Sequence, residues 1–344
     1  MRLLNQACEA LIQKYSDNPS EYINLMYQHI ERCGRTCYRS SDKITEDSAK
    51  PFVDRMIKSN HTAMLEHGTV YLKIPFYTYY EKGNTTETKT KMVGNYFLNK
   101  YSKAVSVSNY KSQEEFADLV LKDEVISWIY ATTNLRVIAE NNWWDDLQYL
   151  CKPTEHHEKR YTLLCTTALH CYKDLTRHRV FSFAIESTRY CNYSKDKFGG
   201  ELSFIIPSWF KQENNKYFKK TNTLPVCSPD ENFGTCLPEF YFKTGKDPIM
   251  KGIHDWTPED YFMFNCLVSE WNYNHLIKEG WQAQQAAEVL PQCIKGDMII
   301  TGFEDDWKHL LDLRYYGTTG APHPMVKELA ALMKEELEKL GFNY

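Results

Sequence analysis

Between Ser41 and His61 the apolar positions Phe52, Val53, Met56 and Ile57 recur at helical spacing and predict one amphipathic helix, in an N-terminal third that reads as helical. The period then changes. Thr69-Val70-Tyr71-Leu72-Lys73-Ile74-Pro75 is rich in β-formers and predicts a strand, and Tyr161–Ala168 predicts a second that is expected to pair with it. Glu201-Leu202-Ser203-Phe204-Ile205-Ile206-Pro207 alternates and stops at proline, which marks a third strand. Thr257-Pro258-Glu259-Asp260 has a capping hydroxyl, a proline at the first helical position and acids in the first turn. A helix should run from there to about Lys278 and end at Gly280. A further helix is expected near Gln282, stopping by Pro291. On the closing segment Met325–Leu340, Met325, Leu329, Met333 and Leu337 make one apolar stripe, with Gly341 as its cap.

Two stretches lack such a pattern. From about Tyr80 to Asn109 the chain is rich in Lys, Asn and Thr, and the weak periodicity continues to about Lys152, with some structure around Val125–Val137. This segment is read as inserted and surface-lying. Lys211–Lys251, polar and rich in Asn, Lys and Pro, is read as a second, loop-like insertion. Helices mixed with a few separated strands predict an α+β fold with an antiparallel or mixed sheet flanked by helices. The expected organisation is a single domain over 1–344, with insertions at about 80–150 and 211–251.

Composition narrows this further. With 344 residues, 42% hydrophobic and 25% charged, the chain can bury a full core. It holds no run of eighteen apolar residues, so no membrane span is expected. Met1–Gln6 turns polar too early for a secretory signal, and cytoplasmic residence is the expectation. Eleven cysteines without Cys-x-x-Cys pairs favour reduced, mostly buried thiols. Cys33 and Cys37 share a helical spacing but lack further ligands nearby. The adjacent His156 and His157 of Glu155-His156-His157-Glu158 point apart, so that segment reads as an exposed turn, and no metal site is expected.

The net charge is −4, yet from Arg177 to Lys197 Arg177, Arg179, Arg189, Lys195 and Lys197 stand against only Glu186 and Asp196. A local cationic excess in an acidic chain points to an anion-binding site rather than to a nucleic-acid surface. Arginine forks bind phosphate and electron-rich planar rings, and the apolar run Val180–Ile185 between them argues for a pocket wall.

Arg177-His178-Arg179, seven residues, then Ser187, followed by Thr188-Arg189-Tyr190 and Tyr193-Ser194-Lys195, resembles the signature of the flavin-dependent thymidylate synthases. In the family's order stand His61-Thr62-Ala63-Met64-Leu65-Glu66-His67 upstream and Val289-Leu290-Pro291 and Leu311-Asp312-Leu313-Arg314 downstream. The resemblance covers most of His61–Phe76 and Tyr161–Leu332. It implies reductive methylation of dUMP to dTMP with FAD as cofactor, and methylenetetrahydrofolate and NADPH as co-substrates. It also implies a homotetramer with sites between subunits, and neither a nucleic-acid nor a membrane partner. Carried over by position, Arg314 and His61 are the catalytic candidates. Asp174, Arg177, Glu186, Ser187, Thr188, Arg189 and Arg314 fall on the nucleotide side, with Arg177 also reaching the nucleotide of a neighbouring subunit. Glu66, Arg177, His178, Arg179, Val180 and His309 fall along the flavin.

The chemistry needs no nucleophilic cysteine, and Cys191 has no identifiable base beside it. Ser187 has no Asp–His pair and reads as a binding residue. Several positions depart from the family. Asp174 stands for a longer Gln or Glu, Ile185 for a polar residue, and Ala287 for an arginine. Phe303, Asp305 and His309 replace an Asn, an Arg and another Asn. Lys295 and Lys308 are the nearby cations to compensate for the arginine. The alternative reading is an inactive relative that binds flavin or pyrimidine nucleotide, or a variant acting on another uracil nucleotide.

Overall fold

The structure, a computed structural model, describes residues 1–80, 86–88, 94–195, 201–210, 240–244, 247–251 and 256–344. Strands β1 (Arg2–Leu4) and β2 (Ala7–Ala10) lead into helix α1 (Pro19–Cys37), whose Asn18 cap accepts from the Glu21 amide. Helix α2 (Ala49–Lys58) lies inside the predicted Ser41–His61 element, and a 3₁₀ turn over Thr62–His67 delivers the chain to β3 (Thr69–Phe76). Then follow β4 (Thr78–Tyr80), β5 (Thr86–Thr88), β6 (Lys103–Ser108), α3 (Gln113–Leu121), β7 (Ser127–Asn134) and α4 (Leu135–Asn141). The second half runs β8 (Arg160–Ala168), α5 (Leu169–Leu175), β9 (Ser182–Ile185), β10 (Ser203–Ile205), β11 (Phe240–Thr244) and β12 (Asp247–Lys251). It closes with α6 (Pro258–Lys278), α7 (Ala283–Ala286), β13 (Lys295–Phe303), α8 (Glu304–Leu311) and α9 (Pro324–Lys339).

The central sheet is antiparallel in the order β2-β8-β13-β9. Pleating sends Met298 and Ile300 of β13 to one face, where Trp307 and the α9 stripe Met325, Leu329, Met333 and Leu337 bury them. Ile299 faces the other way and meets Cys33 of α1. A second antiparallel sheet, β3-β7-β6, packs with Tyr22, Met26 and Ile30 of α1, Phe52 and Val53 of α2, and Leu135 and Ile138 of α4. The fold class is therefore α+β, as expected. The Thr257 cap is a full capping box with Asp260, and Gly280 and Gly341 adopt positive φ just past their helices. No helix among the described residues is long and apolar enough to cross a membrane.

Three expectations change. The strand at Tyr161 does not pair with the one at Thr69: β8 sits between β2 and β13, while β3 pairs with β7, in register from Thr69↔Asn134 to Phe76↔Ser127. Where some structure was expected, around Val125–Val137, stands β7, but it is the middle strand of the second sheet, with Ile129, Ala131, Thr132 and Thr133 buried rather than surface-lying. A strand covered on both faces loses the alternation by which strands are recognised. In the second stretch, residues 211–239, 245 and 246 lie outside the described residues, while β11 and β12 at its end pair antiparallel rather than being loop.

Candidate functional site

Two separate stretches of chain meet at Arg314. Helix α5 ends with Asp174 on its last turn, and His178 follows two turn residues later. After α8 the helix widens into a π turn over Asp312–Tyr316, closed by Gly317 at φ 72°, and this turn presents Arg314. Its Nε donates to His178 Nε2 at 3.0 Å, and an Nη donates to the Asp174 carbonyl at 2.8 Å. The other Nη stands 3.8 Å from an Asp174 carboxylate oxygen. The His309 ring centre lies 6.2 Å from that of His178. To accept from Arg314, His178 must be neutral with its proton on Nδ1. Burial, followed by the charges of Arg314 and His309, pushes its pKa down to about 4 and keeps it so.

A cleft of about 770 Å³ is lined by Arg179 and Val180, both exposed. Glu66 lines it from the 3₁₀ turn and Phe303 from the end of β13. Its charged lining comprises Lys100, Lys103, Arg136, Arg160 and Arg179 against Glu66, Glu140 and Asp306, a cationic excess. Arg136 bridges Glu66 and Glu140, the latter at 2.7 Å. Arg160 is 8% exposed. Both its terminal nitrogens donate to the Glu66 carbonyl at 3.1 Å, while its Nε is buried without a hydrogen-bond partner among the described residues. Its guanidinium lies 5.3 Å from the centre of the Phe303 ring.

The Ser187 segment forms a third group. The Ser187 amide donates to the Cys37 carbonyl at the end of α1 (2.9 Å), and the Cys191 amide donates to the Ser187 carbonyl (3.0 Å), which folds 187–191 into a tight turn. Thr188 is half-buried. Arg189 is exposed, donating to Gln284 at 3.3 Å and lying over the Tyr190 ring. Glu186 turns inward instead, with a fully buried carboxylate that meets Lys295 at 3.1 Å. Arg177 is exposed at the surface. His61 is exposed at the start of its 3₁₀ turn and does not line the cleft, whereas His67 at the end of that turn is buried against Thr301 at 2.8 Å.

The two cations considered as replacements at Ala287 are both engaged: Lys295 with Glu186 and Asp297, Lys308 with Glu304 and Asp305. His157, read as part of an exposed turn, is buried, its Nε2 3.0 Å from the Leu72 carbonyl. The cleft residues Lys100, Lys103 and Arg136 escaped the sequence reading because they lie in the stretch taken for a surface insertion. The one signal there was the i,i+4 pair Arg136–Glu140.

A family model described as Thy1, thymidylate synthase complementing protein, matches residues 148–340, more than half of the chain. The chain belongs to this family. The matched region contains Asp174 to Arg189, His309 and Arg314, and lies downstream of His61, Glu66 and the cleft wall at 99–141. Among solved structures, the chain is similar to a UMP/dUMP methylase PolB from Streptomyces cacaoi, bound with 5-Br dUMP or with 5-Br UMP. Both align at 13% identity over 99% of this chain, with 93% and 92% of the other chain covered and TM-scores of 0.38 and 0.39. A Thymidylate Synthase X from Helicobacter pylori with FAD and dUMP aligns at 14% identity over 52% of this chain and 66% of that one, with a TM-score of 0.31. No curated protein matches the sequence.

Proposed function

We propose that this protein methylates dUMP at C5 to give dTMP, with FAD as cofactor, methylenetetrahydrofolate as carbon donor and NADPH as reductant. Family membership supports the reaction class. The observation that carries the reading is the Arg314 cluster, in which a motif histidine, an acid from α5 and an arginine from the last motif converge. The Nε and one Nη of Arg314 are hydrogen-bonded, and the other Nη, 3.8 Å from the Asp174 carboxylate, would be the one to meet a uracil oxygen. A guanidinium there stabilises negative charge on the ring as C5 becomes nucleophilic. Neutral His178 is part of this function, because a protonated ring would repel Arg314 and offer its Nε no acceptor.

The cleft supports FAD on three counts. Its volume falls within the range of cofactor sites, on the order of 300–1,000 Å³. Its lining is cationic, and Arg160 brings a buried donor still lacking an acceptor. Bound there, FAD would carry reducing equivalents from NADPH to the transferred carbon. Arg160, Lys103 and Arg179 would hold its phosphates and anionic charge, and Glu66 with Val180 would border it. Ser187, Thr188 and Arg189 would hold the nucleotide phosphate. Arg177, exposed, would reach a nucleotide in a neighbouring copy within a homotetramer. Since α1 packs against both sheets, we read 1–344 as one domain.

Thymidylate formation by the purified protein under anaerobic conditions tests the reading, with FAD, NADPH, methylenetetrahydrofolate and dUMP present. Product is expected and should vanish when FAD is omitted. A protein that binds FAD but turns over neither dUMP nor UMP would refute it in favour of a binding role.

A further inference from the structure

Glu186 stands one residue before the turn that begins at Ser187, and its carboxylate is fully buried. It accepts from Lys295 Nζ at 3.1 Å, from the Asp297 amide at 3.1 Å and from the Tyr193 hydroxyl at 3.1 Å, and Arg39 lies 3.7 Å away. Lys295 also bonds Asp297, whose carboxylate accepts from Thr166 at 2.7 Å. Two acids thus face two bases in a balanced group, drawn from the residues after α1, the end of β9 and the start of β13. Buried ion pairs rarely repay their desolvation in stability, and an apolar cluster would hold the strands as well. What this group does that an apolar cluster does not is bind both ends of one loop. Glu186 opens the segment, Tyr193 closes it, and a single carboxylate joins them. Within the segment the tight turn at Ser187–Cys191 is further tied by the Ser187 amide to Cys37 and by the Tyr190 and Cys191 amides back to Ser187.

We infer that Glu186, clasped by Lys295, Tyr193 and Arg39, is a positioning residue that holds the Ser187–Arg189 turn in the shape that grips a nucleotide's phosphate dianion. This rests on the reading above, in which that turn meets the phosphate. Glu186 itself does not touch the nucleotide: its carboxylate faces the protein interior, and a second negative charge beside a phosphate would repel it. Arg39 lies outside the family-matched region, so part of the clasp comes from this chain's own N-terminal segment.

The test compares affinities of the FAD-loaded protein for dUMP and for deoxyuridine, which lacks the phosphate, by calorimetry. The variants are Glu186→Gln, Tyr193→Phe and the double variant Glu186→Gln/Lys295→Met, with Arg189→Ala as the direct-contact control. Glu186→Gln and Tyr193→Phe are expected to weaken dUMP binding about tenfold while leaving deoxyuridine and FAD affinities unchanged. The double variant, which removes opposite charges together, keeps the test open if Glu186→Gln does not fold. Loss of the dUMP preference in Arg189→Ala but not in the clasp variants overturns the clasp alone. Retention of the preference in Arg189→Ala overturns the phosphate-binding turn and the clasp with it. A drop in melting temperature with unchanged dUMP preference marks a purely structural group and also overturns the inference.

Discussion

Lowering the pH from 7 to 5 should remove about 6 kcal/mol of folding stability through three buried histidines, and His67→Gln should restore about a third of it. Burial holds His29 and His67 neutral down to about 3, and His178 to about 4. Unfolded, each should titrate near the ordinary value of about 6.5. The folded pKa lies below the unfolded one, so between those values the unfolded chain binds more protons. Stability is complete above about 6.5 and falls as the pH falls through it. At pH 5 protonation favours the unfolded chain by roughly 2 kcal/mol per histidine, and this figure depends almost entirely on the unfolded pKa as long as the folded one stays below 5. Three such terms take a large share of a typical stability of about 5–15 kcal/mol. His67 suits the test because its Nε2 has no hydrogen-bond partner among the described residues and its Nδ1 contact with Thr301 is within reach of a glutamine amide. Urea unfolding of wild type and His67→Gln at pH 7, 6 and 5 supplies the comparison. Parallel stability curves for the two proteins would refute the reasoning, as would a wild type whose stability does not change between pH 7 and 5.

Three further outcomes are expected. Arg314→Ala should lower kcat for dTMP formation about 10²–10³-fold, the scale for losing one aimed electrostatic donor, while the melting temperature changes little because the side chain is partly exposed. Arg160→Met should weaken FAD binding about tenfold in a fluorescence titration, because the buried donor at the cleft would be gone. Gly302→Ala should destabilise the protein by about 1–3 kcal/mol in thermal unfolding, since its Cβ would fall 2.4 Å from Phe181, whose ring is wedged against buried Trp307.

What could be read from the sequence depended on how local each signal was. The Thr257 cap and the stripe from Met325 to Leu337 are written within a few residues, and both reappear in the structure. The spacing from Arg177 to Ser187 and the distant Arg314 singled out residues of which Asp174, His178 and Arg314 now share hydrogen bonds. Partners of β3 and β8 were not legible, because pairing depends on faces that only the assembled core defines. The cleft wall at Lys103 and Arg136 was hidden for the same reason, since it stands next to β7, whose stretch showed some structure but too little polar alternation to mark a core strand. Glu186 read as a ligand by position, but its neighbours across β13 turn it inward.

The central sheet also sets a schedule for the newborn chain. Strand β8 joins β2, about a hundred and fifty residues behind it, to β13, more than a hundred residues ahead. Until Phe303 has been synthesised, one edge of β8 has no partner, and Leu163 and Cys165 lack both the neighbouring strand and the later cover of α9. The second sheet is complete by Asn134, so it can form well before the first. During translation the protein therefore passes through a stage with one finished half and one open, apolar strand edge, the kind of surface on which chains aggregate and chaperones bind.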